Sequence, residues 1–208
     1  MEITIIGTGN MGRAIATRAL AGGHDVTLIG TETEKAQQLA DELAGTGSGS
    51  VKVGDSPTGE LVVLALWYPS IVEAVRQYAD DLDGKVVVDI ANPIDTSQFE
   101  PLDLDAGSSA EEVARTAPGA KVVKAFNTTF AGTLEAGEVA GHELDVLMAG
   151  DNEDAKATVA ELVKSGGLRP IDAGPLRRAR ELEALGYLHM ALQDALGAAY
   201  SSTVKLIA

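Results

Sequence analysis

The sequence predicts an α/β protein: a doubly wound, mostly parallel sheet with a short helical extension at its C-terminal end. Three observations predict it. Short apolar runs alternate with helical stretches along most of the chain, the order produced by successive βαβ units. Several runs are apolar at every position, as in Leu61-Val62-Val63-Leu64-Ala65-Leu66, and a strand apolar on both faces belongs in a parallel sheet covered by helices on both sides. The first run leads into Gly7-Thr8-Gly9-Asn10-Met11-Gly12, a G-x-G-x-x-G turn followed by an Ala-rich helical stretch.

In chain order, strands are expected at Glu2–Ile6, Asp25–Ile29, Leu61–Leu66, Lys85–Ile90, Lys121–Phe126, Asp145–Ala149 and Leu168–Ile171, with a weaker one at Val51–Val53. Helices are expected at Arg13–Ala21, Thr33–Leu43, Pro69–Ala79, Ser108–Ala114 and Asp151–Lys164. Thr31-Glu32-Thr33-Glu34 and Asp151-Asn152-Glu153-Asp154 place caps and acids at the positive ends of their helices. Ala44–Ser50 is rich in Gly and Ser and reads as a flexible surface loop. From about Leu176 onward one long helical stretch is expected, with Leu182, Leu185, Leu192, Leu196 and Ala199 at helical spacing. This divides the chain into a dinucleotide-binding Rossmann domain, residues 1–175, and an extension, 176–208, that packs on the domain or on a dimer partner.

Composition narrows the chemistry. The chain has 208 residues and no cysteine, so disulfides, thiolate metal sites and cysteine nucleophiles are excluded. Its 31 acidic and 16 basic residues give a net charge of −15, a field that repels nucleic acid and anionic membranes and suits a salt-rich cytoplasm. No apolar run approaches the roughly 20 residues that span a bilayer. The start of the chain does not read as a signal peptide, so a cytoplasmic location is expected. His24, His142 and His189 have no second ligand at a convincing spacing, so no metal is expected.

The glycine turn assigns three distinct jobs. Gly7 permits the tight turn, Gly9 lets the backbone approach a pyrophosphate, and Gly12 lets the helix pack closely on the strand. Free N–H groups at the helix start, from Thr8 to Met11, then bind the anion. The second strand ends at Gly30-Thr31 rather than at the carboxylate that grips a ribose 2′-hydroxyl. Glycine leaves room for a 2′-phosphate, Thr31 offers a hydroxyl and Lys35 a charge, so NADP(H) is expected over NAD(H), although Glu32 stands beside Thr31.

Ligands in this fold lie at the carboxyl ends of the strands. Those ends carry Trp67-Tyr68-Pro69, Asn92-Pro93 and Asn127-Thr128-Thr129-Phe130, which are aromatics and neutral polar groups with no evident catalytic acid, base or nucleophile.

Three motifs carry a family resemblance: Ile6-Gly7-Thr8-Gly9-Asn10-Met11-Gly12, Lys121-Val122-Val123-Lys124-Ala125-Phe126-Asn127-Thr128, and Gly166-Gly167-Leu168-Arg169-Pro170-Ile171-Asp172-Ala173-Gly174-Pro175-Leu176. Together they resemble the NADPH-dependent coenzyme F420 reductases and their relatives, the reductase domains of the six-transmembrane ferric reductases, across nearly the whole chain. The resemblance implies an oxidoreductase passing a hydride between NADP(H) and a deazaflavin (F420) or a flavin (FMN or FAD). It implies that Thr8 to Met11 hold the pyrophosphate and that Thr31 and Lys35 face the 2′-phosphate. Tyr68 and Val72 would line the nicotinamide half, and Asn127 to Ala131 would lie against the second cofactor. The chain departs from the family pattern at Glu32, where the family carries Arg, and at Asn127, where it commonly carries His.

Two alternatives stand beside this reading. Reductases of pyrroline-carboxylates or hydroxyacids open with a similar turn but need a large helical second domain, and only about 35 residues follow the last expected strand. An NADP(H) sensor without turnover would carry the same turn.

Overall fold

The computed structural model describes residues 1–68 and 70–207. Pro69, the expected first residue of the third helix, and Ala208 lie outside the described residues.

The sheet has eight strands: β1 (Glu2–Ile6), β2 (Asp25–Ile29), β3 (Val51–Val53), β4 (Leu61–Leu64), β5 (Val86–Asp89), β8 (Lys121–Lys124), β11 (Asp145–Gly150) and β12 (Arg169–Asp172). Their spatial order is β12-β11-β8-β5-β4-β1-β2-β3. Every neighbouring pair is parallel except β11 with β8, where Ala149 faces Lys124 in an antiparallel register. Two short hairpins, β6 (Ile94–Asp95) with β7 (Glu100–Pro101) and β9 (Glu138–Val139) with β10 (His142–Glu143), interrupt the alternation. They are too short and too polar to register as apolar runs.

The helices are α1 (Asn10–Ala21), α2 (Thr33–Leu43), α3 (Ser70–Gln77), α4 (Ser109–Thr116), α5 (Ala131–Ala136), α6 (Glu153–Ser165), α7 (Ala179–Ala191) and α8 (Gln193–Leu196), with a 3-10 turn at Leu176–Arg178. Alternate residues of the central strands feed opposite layers. Ile3, Ile5, Leu61, Val63, Val88 and Val123 pack with α1, α2 and α6, while Val62, Leu64, Val87 and Val122 pack with α3, α4 and the start of α7. This two-sided burial explains the uninterrupted apolar runs. Each fully buried Val, Leu or Ile contributes about 1.5–3 kcal/mol. Ser108 caps α4 by accepting from the Glu111 N–H, and Asn152 caps α6 by accepting from the Ala155 N–H at 2.9 Å.

Three expectations need correction. α1 starts at Asn10, not Arg13, because the glycine turn passes directly into the helix. The Ala44–Ser50 loop is packed against its neighbours: a Cβ on Gly47 would stand 2.3 Å from the Leu20 carbonyl oxygen, and Ser48 donates its N–H to that same carbonyl. Gly47 and Gly49 serve close backbone approach, while Gly45 turns left-handed at φ +77° with open space beside it. The C-terminal helical stretch ends at Leu196, where Gly197 turns left-handed at φ +58°, and residues 197–207 run on without helix or strand. Leu182 is buried, and Leu192 and Leu196 are exposed. Among the described residues no helix is long and apolar enough to cross a membrane.

Candidate cofactor cleft

The three glycines do three separate things. Gly7 sits at φ +114°, and a Cβ there would stand 2.2 Å from the Ala65 carbonyl oxygen. A Cβ on Gly12 would stand 2.0 Å from the Gly7 oxygen, so that position lets α1 seat on the turn. At Gly9 a Cβ would meet no protein atom within 4 Å, so the space beside this backbone is open. Gly9 also caps α1 without any side-chain bond, no acid stands in the first turn, and the Arg13 N–H makes the first helical bond, to the Gly9 carbonyl at 2.9 Å. The earlier N–H groups and the helix dipole therefore present a positive end where a pyrophosphate fits.

That turn opens onto a cleft of about 1030 Å³, at the upper end of the ~300–1,000 Å³ typical of a pocket for one drug-sized ligand. The sheet order sets its layout. Gly30 and Thr31 after β2 and Gly7 to Met11 after β1 line one end. Ala65 to Trp67 after β4 and Ile90 to Asn92 after β5 form the middle. Asn127, Thr129, Phe130, Ala131, Met190 and Tyr200 line the far end.

Of the residues singled out from sequence, Gly7, Thr8, Gly9, Asn10, Met11, Thr31, Trp67, Asn92, Asn127, Thr129 and Ala131 meet on this cleft. Six do not lie on its lining. Gly12 is buried behind the turn, and Pro93 and Val72 are buried. Thr128 is buried, with no hydrogen-bond partner for its Oγ1. The exposed Lys35 ammonium pairs with Glu32 at 2.7 Å. Tyr68 donates its hydroxyl to Glu112 Oε2 at 2.7 Å, and burial together with that carboxylate pushes its pKa up to about 12.

The middle of the cleft rests on a polar scaffold. Asn92 Nδ2 donates to the Asn127 carbonyl at 2.8 Å, while Asn127 Nδ2 donates to Asn92 Oδ1 at 2.9 Å and to the Leu182 carbonyl of α7 at 2.8 Å. Both amide hydrogens of Asn127 are thus spent, and its buried Oδ1 is left without a partner. Behind this pair Lys124, fully buried, donates to Asp89 Oδ2 at 3.0 Å, to Glu183 Oε1 at 2.7 Å and to the Ala91 carbonyl. Burial raises the Glu183 pKa to about 7 despite the ammonium beside it. Phe126, one residue before Asn127, is left-handed at φ +63°, a conformation held by Thr129, whose Oγ1 donates to the Phe126 carbonyl at 2.8 Å.

Several lining residues carry no sequence signal. Glu73, Gln77 and Tyr78 at α3 read as an ordinary polar helix face, and Met190 and Tyr200 lie far along the chain from every motif.

The model of the family described as NADP oxidoreductase, coenzyme F420-dependent, matches residues 2–93. The F420-dependent NADP reductase of Methanothermobacter thermautotrophicus is 33% identical over 201 residues, spanning 89% of this chain and 86% of that protein. Metalloreductase STEAP3 of Rattus norvegicus is 33% identical over 184 residues, which cover 88% of this chain but only 36% of that longer protein. A solved structure from Arthrobacter sp. FB24, provisionally designated an F420-dependent NADP reductase, superposes with a TM-score of 0.85 at 33% identity over 99% of both chains.

Proposed function

Since the chain belongs to the family of coenzyme F420-dependent NADP oxidoreductases, we propose that it transfers a hydride between NADP(H) and a deazaflavin such as F420, or a flavin, both held in the one cleft. The observation that carries this reading is the cleft's continuity, from the open backbone at Gly9 to the aromatic end at Phe130 and Tyr200. In it Thr8 to Met11 receive the pyrophosphate, and Thr31 offers its hydroxyl to the 2′-phosphate, while Gly30 makes room for the Thr8 side chain. Trp67, Asn92 and Asn127 border the nicotinamide. Asn127, Thr129 and Ala131 border the second ring.

Bound together, the reduced nicotinamide supplies the hydride that the second ring accepts. The chain's own work is alignment and exclusion of water. Asn127 is fixed by its bonds to Asn92 and to the Leu182 carbonyl, so the cleft wall at this point is rigid.

The reading extends to a homodimer in the cytoplasm. Leu188, Leu192 and Leu196 are exposed along α7 and α8 at four-residue spacing. Such a stripe suits pairing with a second copy. Steady oxidation of NADPH, followed at its absorbance band with F420, FMN or FAD as acceptor, tests the function. Turnover with one of them is expected, and binding of NADPH without turnover with any would leave a sensor.

A further inference from the structure

The C-terminal segment after α8 reaches the cleft at Tyr200 in an unusual way. Ala199 and Tyr200 both take left-handed backbone, at φ +45° and +61°. Two consecutive non-glycine residues in that region cost energy and persist only where surrounding contacts hold them. Here the contacts are specific. The buried Gln193 accepts the Tyr200 N–H through Oε1 at 3.1 Å and donates to the Ser202 hydroxyl at 2.9 Å. That hydroxyl also meets His189 Nε2 at 2.8 Å, while His189 Nδ1 faces the Thr128 carbonyl at 3.1 Å. Burial lowers the His189 pKa, which keeps the ring neutral and its two bonds in place.

Farther along, Lys205 donates to Asp145 Oδ1 at 2.6 Å and the Leu206 N–H to Asp145 Oδ2 at 2.8 Å. The segment is therefore fixed on both sides of Ser202. The side chain that this arrangement presents is Tyr200, which stays 53% exposed while lining the cleft. Its ring meets Phe130 edge-on, with centroids 5.1 Å apart and planes at 88°. Phe130 in turn lies against His189 at 4.3 Å. An aromatic held at an energetic cost, yet left uncovered beside an apolar cleft end, is a surface prepared for a flat partner.

We infer that Tyr200, backed by Phe130 and His189, is the wall against which the planar tricyclic ring of the second cofactor lies. The inference rests on the two-cofactor reading above and assigns the C-terminal segment of the same chain to the second ring rather than to the dinucleotide. Phe130 supplies the perpendicular wall, and Gln193 and Ser202 fix the angle of the Tyr200 backbone. The glycine turn, at the other end of the cleft, is untouched by this segment.

The test is a set of fluorescence titrations with F420, FMN and NADP+ on the full chain, Tyr200→Ala and Tyr200→Phe. Tyr200 is exposed, so both variants are expected to fold, as circular dichroism will verify. Tyr200→Ala should weaken binding of whichever ring the parent takes by about tenfold, the order of one aromatic contact. Tyr200→Phe should bind that ring within about twofold of the parent, because the face and not the hydroxyl makes the contact. NADP+ affinity should be unchanged in both. If Tyr200→Ala binds the ring as the parent does, or loses NADP+ equally, the assignment is overturned while the two-cofactor function stands. If the parent binds neither F420 nor FMN, the assignment and the proposed second substrate fall together.

Discussion

Lys124 Nζ lies 2.7 Å from Glu183 Oε1, joining the carboxyl end of β8 to α7 inside the core. Asp89 shares the same ammonium, so one buried cation faces two carboxylates. Burial is the largest influence on Glu183 and lifts its pKa from 4.5 to about 7. A folded-state pKa above the unfolded one means that the proton is held more tightly in the native protein. The stabilisation is then full below pH 4.5 and is lost as pH rises through 7. The rise corresponds to about 3 kcal/mol at 1.36 kcal/mol per pH unit. Urea unfolding of the parent and Glu183→Gln at pH 5 and pH 8 should show the parent's stability relative to the variant falling by about that amount at the higher pH. A difference independent of pH would show that Glu183 does not titrate in this range.

Gly9→Val should abolish NADP(H) binding while leaving the fold intact, because the side chain would fill the open space beside the turn without striking protein. Gly12→Val should instead destabilise the protein, since its Cβ would stand 2.0 Å from the Gly7 oxygen. Thermal melts and NADP+ titrations separate the two. Equal melting temperatures for both variants would contradict this division of labour.

At the proposed adenosine end, Glu32 occupies the Lys35 ammonium at 2.7 Å. Glu32→Arg removes that competition and adds a fork suited to a phosphate. NADPH should bind about 1–3 kcal/mol more tightly, the order of a hydrogen bond to a charged group. NADH affinity should not gain. Calorimetric titration of both dinucleotides checks this, and unchanged NADPH affinity would place the loop away from the 2′-phosphate.

The α7–α8 stripe bears on assembly. Light scattering of the parent should give twice the chain mass of 21.5 kDa. Leu192→Asp, at an exposed position, should return the mass to that of one chain without lowering the melting temperature of the monomer. A monomeric parent would remove the dimer from the account.

The sheet was legible because its central strands are buried on both faces. β1, β2 and β3 fall where the apolar runs place them, and β4, β5 and β8 differ only at their ends, where the chain bends toward the cleft. The glycine turn was legible because three glycines at fixed spacing perform separate local tasks. The hold on Tyr68 was not legible, because its hydroxyl is satisfied by Glu112, a partner 44 residues away that no local pattern reveals. The antiparallel β11 was not evident either, since direction in a sheet depends on where the chain crosses over. Tyr200 escaped notice because its left-handed backbone is held by the Gln193 side chain seven residues earlier, in a stretch whose Leu spacing suggested continued helix.

The central claim is direct passage of hydride between two rings in one cleft. NADPH carrying deuterium at C4, prepared separately in each stereochemical form, should be oxidised with F420 as acceptor and the reduced F420 analysed by mass spectrometry. The account predicts that one form, and only one, delivers its deuterium to carbon of the reduced ring, with a solvent proton completing the reduction. Oxidation in which the label is lost to water from both forms would contradict direct transfer.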